Sequence, residues 1–348
     1  MSTFHKATIR NITKETASAV SVVFDIPESI RSNFSFKAGQ YITLKTMLNG
    51  EEVRRAYSIC SSPNSGEIKV AIKAVENGTF SVFATEKLQP GDEIEIHEPE
   101  GKFILEPQSC KDYIAFAAGS GITPVLSMVK TVLQDSSDAS FTLIYGNKSE
   151  ADIIFKNELE SLQSEYASRF NLHYVFSQQN IDGSLFGRID EGFTNYYVKN
   201  IYKNIDFDSA YLCGPEEMIK TVSQTLQANG FDESKILFEL FTASSDEEDT
   251  SGVTNGETSV NVLLDDEEFS FTMKQTDTIL AASLRQKIDA PYSCQGGICS
   301  SCMARVTEGK AIMTKNSILT DGEIEDGYIL TCQAHPTTSK IHIDFDDV

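Results

Sequence analysis

Four cysteines near the C-terminal end, Cys294, Cys299, Cys302 and Cys332, have the spacing of a metal site, C-x4-C-x2-C-x29-C. Thiolates are soft ligands, and four of them can hold one zinc ion or a pair of irons bridged by sulfide. Between the first three stand Gly296, Gly297, Ser300 and Ser301, small residues that let backbone N–H groups approach the sulfurs and tune them. Structural zinc usually sits between two separate C-x2-4-C pairs, and this sequence has one such pair. Three cysteines on one glycine-rich loop with a distant fourth suit a [2Fe–2S] cluster better, with structural zinc as the alternative. Seven cysteines in all, an odd number with four at a metal-like spacing, point to a reducing compartment and so to a cytoplasmic chain.

A second group of motifs is built on glycine turns. The run from Ala117 to Pro124 follows an apolar segment and contains Gly119, Ser120, Gly121, Thr123 and Pro124. Thr123 is placed as an N-cap and Pro124 as the first helical residue, so the turn opens a helix whose free N–H groups and dipole would face an anion such as phosphate. Tyr145, Gly146 and Asn147 end another apolar segment, and Cys213-Gly214-Pro215-Glu216-Glu217-Met218 repeats the strand-to-helix logic. Upstream, Arg55-Ala56-Tyr57-Ser58 reads R-x-Y-S, and Gly78-Thr79-Phe80-Ser81 reads G-x-x-S twenty residues later. Taken alone, the first of these tetrapeptides is an ordinary strand. None of the five histidines pairs with a Ser or Cys in a nucleophile arrangement, and no H-E-x-x-H or Walker loop is present. Oxygenation chemistry therefore belongs to a partner.

The elements that position these residues fall into three stretches. Up to about residue 106, short alternating segments such as Thr43–Met47, Ile68–Ala74 and Glu93–His97 are separated by Asn49-Gly50, Asn77-Gly78 and Pro90-Gly91, the pattern of a small antiparallel barrel. From Lys111 to Phe241 apolar strands alternate with longer helical stretches, the rhythm of a parallel sheet. Thr242 to Ser259 is polar and acidic and reads as a flexible linker. After it comes a hairpin, then a helix that Asp277 is placed to cap, in a compact α+β module. With 29 Lys and Arg against 51 Asp and Glu, a net charge of −22 argues against nucleic acid and anionic membranes as partners. No stretch approaches the roughly 20 apolar residues of a membrane span.

In their order along the chain, R-x-Y-S, G-x-x-S, Pro90-Gly91-Asp92, G-x-G-x-x-P and C-G-P-x-x-M resemble the signatures of the ferredoxin–NADP reductase superfamily, and the cysteine spacing is that of plant-type ferredoxins. The resemblance implies a multidomain chain: an antiparallel β-barrel flavin domain over 1–106, an α/β parallel-sheet NAD(P) domain over 107–241, a linker over 242–258 and an α+β (β-grasp) [2Fe–2S] ferredoxin domain over 259–348. It implies FAD, with Arg55 at the flavin phosphates, Tyr57 stacked on the ring and Ser58 near its N5. Ala56, Ile72 and Lys73 complete the flavin contacts, and Gly78, Thr79, Phe80 and Ser81 take the pyrophosphate. NADPH or NADH would lie against Gly119, Ser120, Gly121, Thr123, Pro124, Tyr145, Gly146, Asn147, Gly214 and Pro215, with Cys213 beside the nicotinamide. Ser58 and Cys213 are the implied catalytic pair, and Cys294, Cys299, Cys302 and Cys332 the cluster ligands. Lys148 would suit a 2′-phosphate, whereas Asp152 stands where NADH-using cytochrome b5 reductase carries an aspartate. Phe241 stands near the place of the aromatic residue that covers the flavin in plant-type reductases; a core role is the alternative.

Domain order narrows the resemblance to reductases that carry the ferredoxin module last. The segments around Arg55, Gly119, Tyr145 and Cys213 are most similar to reductases of phenylacetyl-CoA epoxidases, which implies such an oxygenase as electron acceptor, in phenylacetate breakdown. A reductase of a Rieske dioxygenase or other hydroxylase is a second reading. A non-catalytic carrier or scaffold with a vestigial flavoprotein half is a third, against which the intact motifs speak.

Overall fold

A computed structural model describes residues 4–241 and 249–348. The chain forms two compact units, His5–Phe241 and the C-terminal chain from Thr242 on. Among the described residues no helix is long and apolar enough to cross a membrane.

The first unit starts with six antiparallel strands, β1 His5–Thr16, β2 Ala19–Asp25, β3 Tyr41–Leu48, β4 Glu51–Ser58, β5 Ile68–Lys73 and β6 Glu93–Ile96. They are ordered β4-β3-β6-β1-β2-β5, and a bridge from Ile59 to Val70 closes the sheet into the expected barrel. Asn49 and Gly50 both take positive φ, the two-residue turn whose twist matches a hairpin. That turn fixes the register of β4 on β3, with Tyr57 opposite Ile42 and Ser58 opposite Tyr41. Helix α1, Thr79–Glu86, turns Phe80 and Ala84 into the barrel core.

A six-stranded parallel sheet follows: β7 Asp112–Ala118, β8 Ser140–Asn147, β9 Phe170–Phe176, β10 Leu185–Phe186, β11 Ser209–Cys213 and β12 Ile236–Glu239, in the order β10-β9-β8-β7-β11-β12. Helices α2 Ile122–Asp135, α3 Lys156–Glu165, α4 Glu191–Asn195 and α5 Glu216–Ala228 connect its strands. The strand order reverses between β7 and β11, so the connections leave in opposite directions there and open a crevice at the strands' C-terminal ends. Gly119 and Cys213 stand at those two ends.

Barrel and parallel sheet share one core, in which Ala38, Cys60, Phe103 and Leu105 pack with Val125, Met128 and Val132 of α2. Polar contacts fix the same seam. Ser127 donates to Ser61 O (2.7 Å), and Lys130, 9 % exposed, donates to Cys60 O (3.1 Å) and pairs with Glu158 (2.5 Å), which also takes Lys69 of β5 (3.4 Å). Burial alone would raise the Glu158 carboxyl, but the two lysines bring it below its ordinary value.

The C-terminal unit contains β13 Glu257–Leu264, β14 Glu267–Lys274, α6 Ile279–Arg285, β15 Met303–Glu308, β16 Ala311–Met313, α7 Asp321–Glu325, β17 Tyr328–Leu330, β18 Ala334–Pro336 and β19 Lys340–Asp344. Its main sheet runs β14-β13-β19-β15-β17 and has its own core, with Val260, Val262, Leu280, Cys302, Leu330 and Ile343. Thr278, not Asp277, caps α6: its side chain accepts from Ala281 N–H, while Asp277 pairs with Arg285. The expected linker divides. Residues 242–248 lie outside the described residues, whereas Asp249 N–H donates to Thr314 O (3.2 Å) and the Thr254 hydroxyl to Gln275 (2.6 Å), so this part packs on the C-terminal unit.

Candidate functional site

At the end of β7, Gly119 takes φ +55° and Gly119–Gly121 wind one 3-10 turn, so α2 begins at Ile122 with Gly121 as its N-cap. Thr123 is thus inside the first turn rather than capping it, and its hydroxyl donates back to Ser120 O (3.0 Å). Pro124 takes the third helical position, where its missing N–H leaves no helix bond unmade. No side chain caps this end, and Ile122 N–H bonds to Gly119 O and Ser120 O, so what a phosphate would meet here is the positive end of the helix dipole. Tyr145 is fully buried and its hydroxyl donates to Gly119 O (2.9 Å), so it props the turn from β8. A Cβ on Gly121 would lie 2.0 Å from Cys213 O, and one on Gly214 would lie 3.1 Å from Ala118 Cβ; the two motif turns therefore meet backbone to backbone. Asn147 is 8 % exposed, yet neither end of its amide makes a hydrogen bond of good geometry within the chain, although it lies beside the Tyr145 hydroxyl. A buried amide in that state fits a nucleotide that brings its own hydroxyls.

Ser58 reaches the same crevice from the barrel. Its hydroxyl donates to Glu239 Oε2 (3.0 Å) at the end of β12, and Glu239 is the register partner of Cys213 on β11. The motifs named Ser58 and Cys213 but not the carboxylate between their strands. Glu239 remains partly accessible, but its carboxyl lies inward and burial pushes it up to about 8, with the Ser58 hydrogen bond pulling the other way. Burial, and then Glu239, holds the Cys213 thiol well above its ordinary value, so it stays a neutral thiol and not a nucleophile. At neutral pH the crevice thus holds a hydroxyl, a protonated carboxyl and a thiol, a set that can donate hydrogen bonds without charge. A carboxyl that stays protonated in the folded state binds a proton that the unfolded chain has lost, so stability falls as pH rises from about 4.5 to about 8. Glu239→Gln, neutral at every pH, is expected to match the native melting temperature near pH 5 and exceed it near pH 9. An equal difference at both pH values, by thermal unfolding of the flavin-loaded protein, would refute this assignment.

The flavin motifs also converge. Tyr57 and Phe80 have ring centroids 5.6 Å apart, and burial, eased by Arg55, raises the Tyr57 hydroxyl. Arg55 is exposed, with its guanidinium bonded to Arg54 O (2.7 Å), and Ala56 is half-buried beside it. Gly78 caps α1, and a Cβ there would lie 2.3 Å from Ser81 Oγ, which itself accepts from Val75 N–H (3.2 Å). Thr79 is exposed. Ile72 and Phe80 are buried in the barrel core, so Ile72 can offer a flavin its backbone alone. Lys73 turns toward the nucleotide side, its Nζ 3.7 Å from where a Gly119 Cβ would be.

In the other unit the cysteines fall into two pairs. Cys299 Sγ donates to Cys294 Sγ (3.1 Å), as does Gly296 N–H (3.3 Å). The Cys294 thiol is drawn down to about 6, first by Cys299 and then, against burial, by the N–H groups of Gly296, Ile298 and Cys299. Cys302 hydrogen-bonds with Cys332, which with burial holds its thiol well above the ordinary value. Cys302 immediately precedes β15 and Cys332 closely follows β17, and Met303 faces Leu330 in that ladder. The two pairs, Cys294 with Cys299 and Cys302 with Cys332, bring together the four thiols that a two-iron cluster would use.

Three families match the chain: the oxidoreductase FAD-binding domain over residues 6–104, the oxidoreductase NAD-binding domain over 116–224 and the 2Fe-2S iron-sulfur cluster binding domain over 262–337. The chain is 38 % identical to one subunit of the 1,2-phenylacetyl-CoA epoxidase of Escherichia coli, over 99 % of each chain. It is 32 % identical to the ferredoxin reductase component of 3-ketosteroid-9-alpha-monooxygenase from Rhodococcus rhodochrous, over 97 % of this chain and 96 % of that one. Phthalate dioxygenase reductase, a modular structure for electron transfer from pyridine nucleotides to [2Fe–2S], has the same fold, with a TM-score of 0.63 at 23 % identity over 98 % of both chains. These matches set aside structural zinc and a non-catalytic carrier: the chain is an NAD(P)H-dependent oxidoreductase that uses FAD and a [2Fe–2S] cluster to deliver electrons to an oxygenase. It belongs to the ferredoxin–NADP reductase superfamily, among the reductases that carry a plant-type [2Fe–2S] domain at the C-terminal end.

Proposed function

We propose that this chain is the reductase component of a phenylacetyl-CoA epoxidase. The observation that carries the reading is 38 % identity to a component of such an enzyme along practically the whole of both chains, module order included. The 32 % identity to a steroid monooxygenase component keeps a second reading, a reductase for another hydroxylase. When bound, the flavin accepts two electrons as hydride and releases them singly, which joins a two-electron donor to a one-electron cluster.

The residues divide the remaining work. Gly119 to Gly121 and the N-terminus of α2 bind the pyrophosphate of NAD(P)H, and Asn147 takes a ribose hydroxyl. Cys213, a buried neutral thiol, walls the nicotinamide pocket. Glu239, protonated near pH 7, and Ser58 orient the carboxamide and the flavin edge. Arg55 and Gly78 to Ser81 would hold the flavin phosphates, and Tyr57 would stack on the flavin ring. Cys294, Cys299, Cys302 and Cys332 would hold the cluster, which would accept and pass on one electron at a time. Seven unpaired cysteines suit the cytoplasm as the compartment.

An anaerobic absorption spectrum tests the internal chain: NADPH or NADH is expected to bleach both flavin and cluster bands. Reconstitution tests the acceptor. With the oxygenase components of the epoxidase, NADPH oxidation should be coupled to epoxidation of phenylacetyl-CoA; uncoupled oxidation there, with coupling to a steroid hydroxylase, would favour the second reading.

A further inference from the structure

We propose that Gln333 sets the electron affinity of the cluster by holding one peptide plane. This rests on the ligand assignment above. Gln333 follows the last cysteine and is 6 % exposed, with every polar group engaged. Its N–H donates to Leu330 O (2.9 Å) and its carbonyl accepts from Thr314 N–H (3.0 Å). Its side-chain Oε1 accepts from the Thr314 hydroxyl (3.1 Å), and its Nε2 donates to Gln295 O (3.0 Å). The second contact reaches back to the loop of the first two ligands, and a Cβ on Gly297 would lie 3.2 Å from Gln333 Cγ.

The consequence follows from peptide geometry. Gln295 O and Gly296 N–H belong to one planar trans unit, so they point in opposite directions. With the carbonyl held by Gln333, the N–H is aimed at Cys294 Sγ, 3.3 Å away. Gln295 sits at φ +54°, an unfavourable region for a side-chain-bearing residue, so the loop does not keep this plane by local preference. Gln295 O, an acceptor only, determines which end of the Gln333 amide faces the loop, and the Thr314 hydroxyl, which also lies 3.4 Å from Gln333 O, steadies the amide by donating to its other end. An N–H directed at a ligand sulfur stabilises the added charge of the reduced cluster and raises its potential.

The test is an EPR-monitored redox titration of the full-length holoprotein, with iron and sulfide measured on each sample. Gln333→Leu is expected to keep its iron and to shift the one-electron reduction equilibrium about tenfold against reduction, a potential lower by about 59 mV. Thr314→Val should shift it the same way and less, while flavin reduction by NADPH keeps its native rate in both. A fully loaded Gln333→Leu protein with the native potential would overturn the proposal. If that variant holds no cluster, Thr314→Val decides alone: a lowered potential supports the proposal and an unmoved one overturns it. Native protein unable to take up iron and sulfide would instead overturn the ligand assignment, and the proposal with it.

Discussion

Cys299→Ser is expected to lower NADPH-dependent reduction of cytochrome c by about 100-fold or more, the upper end of what disturbing a metal site costs, while ferricyanide reduction by the flavin stays near native. Cys299 is buried and its sulfur lies 3.1 Å from that of Cys294, close enough for the two to act together as ligands in the proposed set. A serine hydroxyl is a harder and far less acidic ligand than a thiolate. The C-terminal core contains no residue of the flavin unit, so the change leaves the hydride-accepting half untouched. Equal loss of both activities, in a variant that keeps its flavin and its fold, would count against the order flavin before cluster; native cytochrome c reduction in a variant without the cluster would mean that electrons do not pass through it.

Gly121→Ala should act on the other end of the chain of transfers. The new methyl would lie 2.0 Å from Cys213 O and 2.5 Å from its carbonyl carbon, both backbone atoms at the end of a buried strand. Neither can rotate away, so the turn must move by about 1 Å or more, a displacement that can cost about 100-fold in a positioned reaction. Stopped-flow reduction of the flavin by NADPH should show kcat/KM lower by that order, while dithionite-reduced protein passes electrons to cytochrome c at the native rate. A kcat/KM within a few-fold of native would show that the turn is not where the nicotinamide nucleotide binds.

Much of this was legible because the motifs are local. Glycine at a strand-to-helix turn and cysteines at fixed spacing carry their geometry within a few residues, and the barrel and parallel sheet followed from alternation and from helical stretches between apolar strands. What failed did so over one or two positions or over long distances. Thr123 and Pro124 have the residue types of a helix start, but backbone contact between Gly121 and Cys213 accompanies a tight turn that starts the helix earlier. Asp277 and Thr278 could each cap α6, and Arg285 engages the aspartate. Glu239 was invisible as a partner of Ser58 because the two are 181 positions apart, and an acid at a strand end has no motif. Gln333 follows Cys332 in the sequence, but its contact with Gln295 spans 38 positions and depends on how β17 returns to the cysteine loop.

The flavin and nucleotide halves share one core, with buried Lys130 paired to half-buried Glu158 in the seam, whereas the C-terminal unit has a core of its own. The two parts of the chain can therefore fail separately. In a cell short of iron the first unit would remain folded and would still draw on the cell's reduced nicotinamide. With its normal outlet gone, the remaining acceptor for those electrons is dissolved oxygen, and the product is superoxide or peroxide. Independent cores make the fusion easy to assemble, but they also convert loss of its last module into an oxidative burden.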